Sequence, residues 1–207
     1  RGIFHNGGRS TLKAEEATTW SAGLDWVPSG ALEGFTASVT YYDIDYTDRI
    51  DVVPNTALAQ PVVYAPYIVR RPDASDAAGN AAFDALVAEF FANPDLQNPI
   101  EPVSNINAIV DGRRANLGSM KQTGLDANLA YAFGTSVGDW RVGLDVAKIL
   151  DLTRSTAPGL PYVDVLDRFG NPIDLRARAS LNWRIGGLSA NLYYNYTDDY
   201  LNTAITP

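Results

Sequence analysis

The chain has 207 residues, of which 46% are hydrophobic and 11% aromatic, and its formal net charge is −8. The absence of cysteine excludes disulfide frameworks, thiolate metal sites and cysteine nucleophiles. An acidic chain lacks the basic face of a nucleic-acid binder, so no nucleic-acid partner is expected. The single histidine, His5, lies in a Gly-rich polar stretch and is expected to be a solvated loop residue. No apolar run approaches the ~20 residues that a membrane-spanning helix needs.

The first two predicted strands cover residues 18–27 and 34–50 and are joined by a short turn, 27–34. Apolar and polar residues alternate along both, which is the period of side chains in a strand. The apolar positions are Trp20, Ala22, Leu24 and Trp26, then Phe35, Ala37, Val39 and Tyr41. The second strand ends among Asp43, Asp45, Asp48 and Asp51. Carboxylates suit Ca²⁺, but the glycine and spacing of an EF-hand are missing, so these residues are interpreted as a solvated strand end.

A long connection, residues 51–117, follows the first pair of strands. It is predicted to contain a short helix at about 80–92, with Asn80 as a plausible N-cap and Asn93-Pro94 as its end. The helix has an apolar stripe at helical spacing, which is expected to pack on the rest of the loop: Phe83, Leu86, Val87, Phe90 and Phe91. Residues 60–71, interrupted by Pro61 and Pro66, and 102–110 are candidates for short strands.

Four further strands are predicted at 118–133, 139–152, 174–186 and 188–201. The first two join through a short turn and the last two through Gly186-Gly187, whereas residues 152–173 form a second long loop. The cleanest alternation has Leu175, Ala177, Ala179, Leu181, Trp183 and Ile185 opposite Asp174, Arg176, Arg178, Ser180, Asn182 and Arg184. In each strand the alternation runs for roughly 8–12 residues, which matches the ~9–11 that a tilted strand needs to cross a bilayer.

Short turns that alternate with long loops are typical of outer-membrane barrels, with the long loops extracellular. Aromatic residues on the apolar positions, mostly near the short turns, form a predicted membrane-facing girdle: Trp20, Trp26, Phe35, Phe133, Trp140 and Trp183. The predicted fold class is therefore all-β with a short helix in a long loop, built from antiparallel up-and-down hairpins that form part of a transmembrane β-barrel. A soluble antiparallel sheet with one wet face alternates as well and stays open as an alternative.

Candidate ligand-binding residues are basic. Arg70, Arg71, Arg113 and Arg114 form two pairs in the long loop, where they either meet an anionic ligand or are solvated. Arg176 and Arg178 share the polar face of one strand, which would line the lumen of a barrel. No G-x-S-x-G, Walker, G-x-G-x-x-G or H-E-x-x-H motif occurs, so no catalytic residue, metal site or cofactor is predicted.

Several segments resemble TonB-dependent receptors. Residues 12–28 (LKAEEATTWSAGLDWVP) resemble the stretch that precedes and enters a Trp-x-x-Gly-Leu strand, with Ala14 where proline is common. Residues 34–50 (GFTASVTYYDIDYTDRI) and 116–133 (NLGSMKQTGLDANLAYAF) resemble later strands of the family, and LRARASLNW with ANLYYNYTDDYLN resembles the next hairpin. The matches cover most of the chain outside the long loops.

The resemblance implies an active transporter of the bacterial outer membrane, in contact with lipid and not an enzyme. Its ligand would be a ferric siderophore, a cobalamin-like compound or an oligosaccharide, and TonB would act through an N-terminal plug. The chain shows no plug and no TonB-contact box, and about 22 strands are expected of a whole barrel. It is therefore interpreted as a C-terminal-region fragment that stops short of the true end. The alternatives are a soluble all-β carbohydrate-binding module and a non-transporting adhesin or structural barrel.

Overall fold

The structure is a computed structural model and describes residues 1–94 and 102–202. These residues form ten strands and one α-helix. The strands are β1 Gly2–His5, β2 Glu16–Trp26, β3 Phe35–Val52, β4 Ile68–Arg70, β5 Ala108–Asp111, β6 Arg114–Thr135, β7 Gly138–Ser155, β8 Val163–Asp164, β9 Leu175–Ile185 and β10 Leu188–Thr197; the helix is α1 Ala77–Phe91. The predicted fold class, all-β and antiparallel with one short helix, is confirmed. No helix in this part of the chain is long and apolar enough to cross a membrane.

The chain divides into two compact units. The strand unit is Glu16–Thr47, Ser119–Ser155 and Pro161–Pro207, and the loop unit is Arg1–Glu15, Asp48–Gly118 and Thr156–Leu160. The division falls inside β3 and β6, which are 18 and 22 residues long.

The strand unit is one open antiparallel sheet in the order β10-β9-β7-β6-β3-β2, with β8 paired to β7. Because of the register, apolar residues of neighbouring strands lie side by side in rows across the sheet, and so do the polar residues. Tyr131, Val142, Leu181 and Leu192 form one row on the apolar face. Asn128, Asp145, Arg178 and Asn195 form a row on the polar face. A slip of one residue would exchange the two faces, so the pattern fixes the register.

Several strands extend beyond their predicted ends. β6 begins at Arg114 and β7 continues to Ser155, and Ser119 still pairs with Ser155. A register shift between Thr123 and Gly124 marks a β-bulge. The extra residues of β7, Thr153 to Ser155, are all polar and therefore gave no alternation. Those of β6 include Ala115 and Leu117, which are buried in the loop unit. β10 instead stops at Thr197, whereas the prediction ran to residue 201, because Leu201 donates its N–H to the carbonyl oxygen of Asp167.

The loop unit has its own small sheet, β1-β5-β4, in which β1 and β5 are parallel and β4 is antiparallel to β5. Two apolar clusters form its core. The first contains Val53, Ala57, Tyr64, Val110, Ala115, Leu117 and Ala157. The second contains Ile3, Phe83, Val87, Ile106 and Ile109, with Leu86, Phe90 and Phe91 packed against it. The predicted stripe of the helix therefore packs within the loop, as expected.

Two predictions for the loop unit were wrong. The helix starts at Ala77 because Asp76, not Asn80, is its N-cap, and the Asp76 carboxylate accepts the Gly79 N–H at 2.8 Å. Asn80 instead lies inside the helix and donates to the Asp73 and Asp76 carbonyl oxygens. His5 is not a loop residue. It lies half-buried in β1, with its ring centroid 5.1 Å from that of Phe90, because β1 pairs with β5 under the helix.

We expect Gly34→Ala to lower the free energy of unfolding of the detergent-folded protein by about 1–3 kcal/mol. Gly34 has a φ of 89°, which residues other than glycine rarely adopt. It lies against Ala132, whose N–H donates to the Gly34 carbonyl oxygen, and a Cβ on residue 34 would overlap the Ala132 carbonyl oxygen. The measurement is equilibrium denaturation. Gly187→Ala is the control, because a Cβ at Gly187 meets no atom within 4 Å. Equal stability of the two variants would contradict the close approach of Gly34 to Ala132.

Candidate functional site

The apolar face of the strand unit is exposed. Every residue of β2 and of β10 is exposed, and Leu24 and Leu192 retain 73% and 66% of their accessible surface. The exposed face also includes Val39, Tyr131, Val142, Leu144, Leu188 and Tyr194. A contiguous apolar surface of this extent marks a membrane or protein contact rather than a surface for water.

Aromatic pairs lie on this face at the end where the short turns are. Trp26 contacts Phe35 with ring centroids 5.5 Å apart, and Trp140 lies 6.1 Å from Trp183. The Trp183 indole N–H donates to the Val137 carbonyl oxygen at 2.8 Å. An apolar ring whose N–H is bonded at the strand end is the arrangement found in interfacial aromatic belts.

Trp20 lies at the other end of the apolar face. It is opposite Asp43 in the register and its ring is 5.2 Å from that of Tyr41. Trp26 lies six positions after Trp20, which corresponds to about 20 Å along the strand. The six predicted girdle residues therefore form two groups, five near the short turns and Trp20 at the opposite boundary. Leu175 to Ile185 on β9 spans about 33 Å, or roughly 25 Å after the tilt of a membrane strand.

The polar face forms an open groove of about 490 Å³, and all of its lining residues belong to the strand unit. Arg176 and Arg178, predicted from sequence, both line it, together with Asp126, Asp145 and Asn195. The Asn128 amide donates a hydrogen bond to the Asp145 carboxylate. The Arg178 guanidinium lies 4.3 Å from the ring centroid of Tyr193, a cation–π contact that the sequence pattern did not single out.

The aspartates at the end of β3 do not converge. Asp45 lies 3.9 Å from Lys121, while Asp43 faces Trp20 on the apolar side. Within residues 1–94 and 102–202 no group of three or more His, Cys, Asp or Glu side chains is placed to hold a metal ion.

The four arginines of the long loop separate into two kinds. Arg71 donates to the Ile106 carbonyl, forms an ion pair of 2.8 Å with Asp84 and lies over the Phe83 ring. Arg113 donates from Nε and Nη2 to the two carboxylate oxygens of Asp111 at 2.8 and 2.7 Å. These two arginines hold the loop unit together, whereas Arg70 and Arg114 are exposed.

Arg9 also contacts Asp111, the partner of Arg113, and the sequence did not single it out. Its Nη2 lies 2.7 Å from Asp111 and its guanidinium is 5.0 Å from the Tyr67 ring centroid. The pKa of Asp111 is lowered to about 2, mainly because its carboxylate accepts hydrogen bonds from the Arg113 side chain. Burial acts in the opposite direction, whereas the Arg113 backbone N–H and the charge of Arg9 lower the pKa further. The ordinary pKa of this carboxyl is 3.8. The residues are about 100 positions apart, so no local pattern could reveal the cluster.

An exposed apolar face backed by a polar groove, with aromatic residues at the strand ends, defines a membrane β-barrel type of sheet. The family described as TonB dependent receptor-like, beta-barrel matches residues 2–207, and the chain belongs to this family. The resemblance to TonB-dependent receptors that the sequence suggested is thereby confirmed. Members are outer-membrane receptors of the transporter kind and not enzymes. A search of the curated proteins gave no match.

We expect Asp111→Asn to remove part of the acid sensitivity of the folded protein. Because the folded pKa of Asp111, about 2, lies below its ordinary 3.8, its stabilising effect is complete above about pH 4 and is lost as pH falls towards 2. Unfolding free energies measured at pH 2 to 6 should therefore fall more steeply for the parent than for Asp111→Asn. Asp73→Asn, an exposed carboxylate of the same unit, should keep the parent slope. Identical slopes for Asp111→Asn and the parent would refute the assignment.

Proposed function

We propose that the strand unit forms part of the wall of a TonB-dependent transporter, with its apolar face in outer-membrane lipid and its polar face lining the lumen. The observation that carries this proposal is the pair of opposite faces: rows such as Tyr131-Val142-Leu181-Leu192 on one side and Asn128-Asp145-Arg178-Asn195 on the other. The ladder satisfies the backbone groups of the central strands, as a hydrocarbon environment requires.

The proposed activity is active uptake of a scarce polar ligand: a ferric siderophore, a cobalamin-like compound or an oligosaccharide. The groove offers guanidinium, carboxylate and amide groups from Arg176, Arg178, Asp126, Asp145 and Asn195. These groups can exchange hydrogen bonds with a hydrated ligand. The energy would come from TonB through a plug domain, as the family implies.

In the loop unit, we propose Arg70 and Arg114 as ligand contacts on an extracellular surface, because both are exposed. Arg71 and Arg113 were also predicted as ligand contacts. Their donors are already bonded to Ile106, Asp84 and Asp111, so binding a ligand there would cost internal bonds. The proposal therefore depends on the two exposed arginines.

The soluble binding module explains the structure less well. A soluble sheet has to cover its apolar side, yet Leu192 and Tyr194 in the final hairpin are 66% and 68% exposed. A bilayer supplies that cover without any further protein. Membership in the receptor family points the same way.

We expect Leu181→Arg to lower the unfolding free energy in lipid vesicles by about 2–4 kcal/mol, the cost of a cation on the lipid side near the midplane. Leu181 lies between Val142 and Leu192 in an apolar row. The matched control is Asn182→Arg, one residue along the same strand and on the polar face, which should change stability little. Equal losses for the two variants would contradict the assignment of faces.

We expect the double variant Arg176→Gln/Arg178→Gln of the full-length protein to reduce uptake when it replaces the parent in a deletion strain. Uptake would be measured with labelled ferric siderophores, cobalamin and oligosaccharides, since the parent's response identifies the ligand. Arg184→Gln is the control, because this third arginine of β9 lies on the same face but pairs with Asp139 and Ser189 beside the short turns. Unchanged uptake in the double variant, with normal amounts in the membrane, would exclude the two arginines from the pathway.

A further inference from the structure

The groove of the strand unit contains a carboxylate and a guanidinium that lie side by side without forming an ion pair. Asp145 and Arg178 are direct neighbours in the β7–β9 register, and both are exposed and line the groove. In the described part of the chain no ion pair joins them, in contrast to Lys148 and Asp174 near the end of the same two strands. The position of each group is therefore set by another contact.

Each of the two charged groups is held by an uncharged neighbour. The side-chain amide of Asn128, on β6, donates to the Asp145 carboxylate. Tyr193, on β10, lies against the Arg178 guanidinium, whose Cζ is 4.3 Å from the ring centroid. A guanidinium stacked on a ring keeps its N–H donors free at the edge of its plane. The carboxylate also keeps acceptor capacity, because one amide N–H uses only part of it.

The next row of the polar face presents the same two groups with a gap between them. Asp126 and Arg176 are both neighbours of Ala147 in the register, so only a methyl group lies between the carboxylate and the guanidinium. Their strands are two inter-strand spacings apart, about 10 Å, and the two rows are about 7 Å apart along each strand. The groove, of about 490 Å³, therefore offers two acceptors and two donors within the size range of ligand pockets.

This arrangement disfavours charged ligands. A ligand anion that approaches Arg178 also meets the Asp145 carboxylate, and a ligand cation meets the guanidinium, so one contact is always repulsive. A hydroxyl group has no such conflict, because it donates one hydrogen bond and accepts others. Two hydroxyls on neighbouring carbons can donate to Asp145 and accept from Arg178 at the same time, and both bonds are of the stronger, charge-assisted kind.

We infer that the groove binds an uncharged oligosaccharide, with Asp145 and Arg178 as the hydroxyl contacts and with Asn128 and Tyr193 as the residues that position them. The inference rests on the proposed function and narrows its ligand from three classes to one. Sugars carry hydroxyls on neighbouring carbons in every unit. Successive units can therefore make the same contacts as the ligand passes from one row to the next.

The test is glycan binding by the full-length protein purified in detergent, without TonB. An array of neutral oligosaccharides identifies the best glycan, and isothermal titration measures its affinity; ferric enterobactin, ferrioxamine B and cyanocobalamin form the comparison arm. We expect saturable binding of a neutral oligosaccharide that changes little with salt, because the ligand carries no charge. Failure of the folded parent to bind any glycan would overturn the inference, whatever it binds in the comparison arm.

The direction of the Asp145→Asn effect separates the kinds of ligand. For an oligosaccharide, Asp145→Asn and Arg178→Gln should each weaken binding about tenfold, as expected for the loss of one charge-assisted hydrogen bond. For an anionic ligand, Asp145→Asn would tighten binding instead, because it removes a repulsive charge. Unchanged or tighter binding by this variant would therefore contradict the inferred role of Asp145.

The positioning role of Tyr193 is tested on the same glycan. Tyr193→Ala should weaken binding about threefold because it releases the guanidinium, whereas Tyr193→Phe should keep the parent affinity because the ring holds Arg178. In the Arg178→Gln background, Tyr193→Ala should cause no further loss. Tyr194→Ala is the matched control, since Tyr194 is the next residue of β10 and is exposed on the apolar face. Equal losses in Tyr193→Ala and Tyr194→Ala would refute the positioning role.

Failure of this inference can be distinguished from failure of the proposed function. Uptake of a siderophore or of cobalamin that depends on Arg176 and Arg178, without any glycan binding, would leave the transporter proposal intact and overturn this one. Glycan binding in detergent by a protein that supports no uptake would do the reverse.

Discussion

The register of the antiparallel ladder is the constraint on which the strand unit depends. Because side chains alternate with a period of two, each hydrogen-bonded pair decides which residues share a face. Pairing of Leu181 with Leu192 also pairs Arg178 with Asn195, three residues along β9. A slip of one residue would place the arginine on the apolar face, where a cation in lipid costs about 2–4 kcal/mol. The two-residue connection between β9 and β10 at Gly186-Gly187 restricts that slip further.

The two units owe their stability to different forces. The loop unit buries Val53, Val87 and Tyr64 in apolar clusters, so the hydrophobic effect in water can fold it. In the strand unit, burial is sparse and the central strands are held by ladder hydrogen bonds, with Leu152 among its few buried apolar side chains. A sheet of this kind becomes stable when lipid or detergent covers its apolar rows. The stability of the strand unit therefore depends strongly on the surrounding lipid or detergent, and that of the loop unit depends on it much less.

The sequence predicted the features that depend on neighbouring residues. Alternation is local, so the faces of the strands and the placement of Arg176 and Arg178 in one groove followed from it. Features that depend on distant partners were missed. β1 is a strand only because it pairs with β5, and Arg9 meets Asp111 across about 100 positions. The four arginines of the long loop were all predicted as ligand contacts. Only the structure shows that Arg71 and Arg113 form ion pairs with carboxylates of the chain itself.

The distribution of charge on the polar face bears on what the groove can do. The row through Asp145 and Arg178 contains one carboxylate and one guanidinium, and so does the next row, through Asp126 and Arg176. Each row is therefore neutral while it keeps many donors and acceptors. A neutral polar surface holds water and exchanges hydrogen bonds without the long-range attraction of a single-sign field, which falls steeply with salt in any case. Such a surface fits brief contacts with a hydrated ligand that passes along the groove.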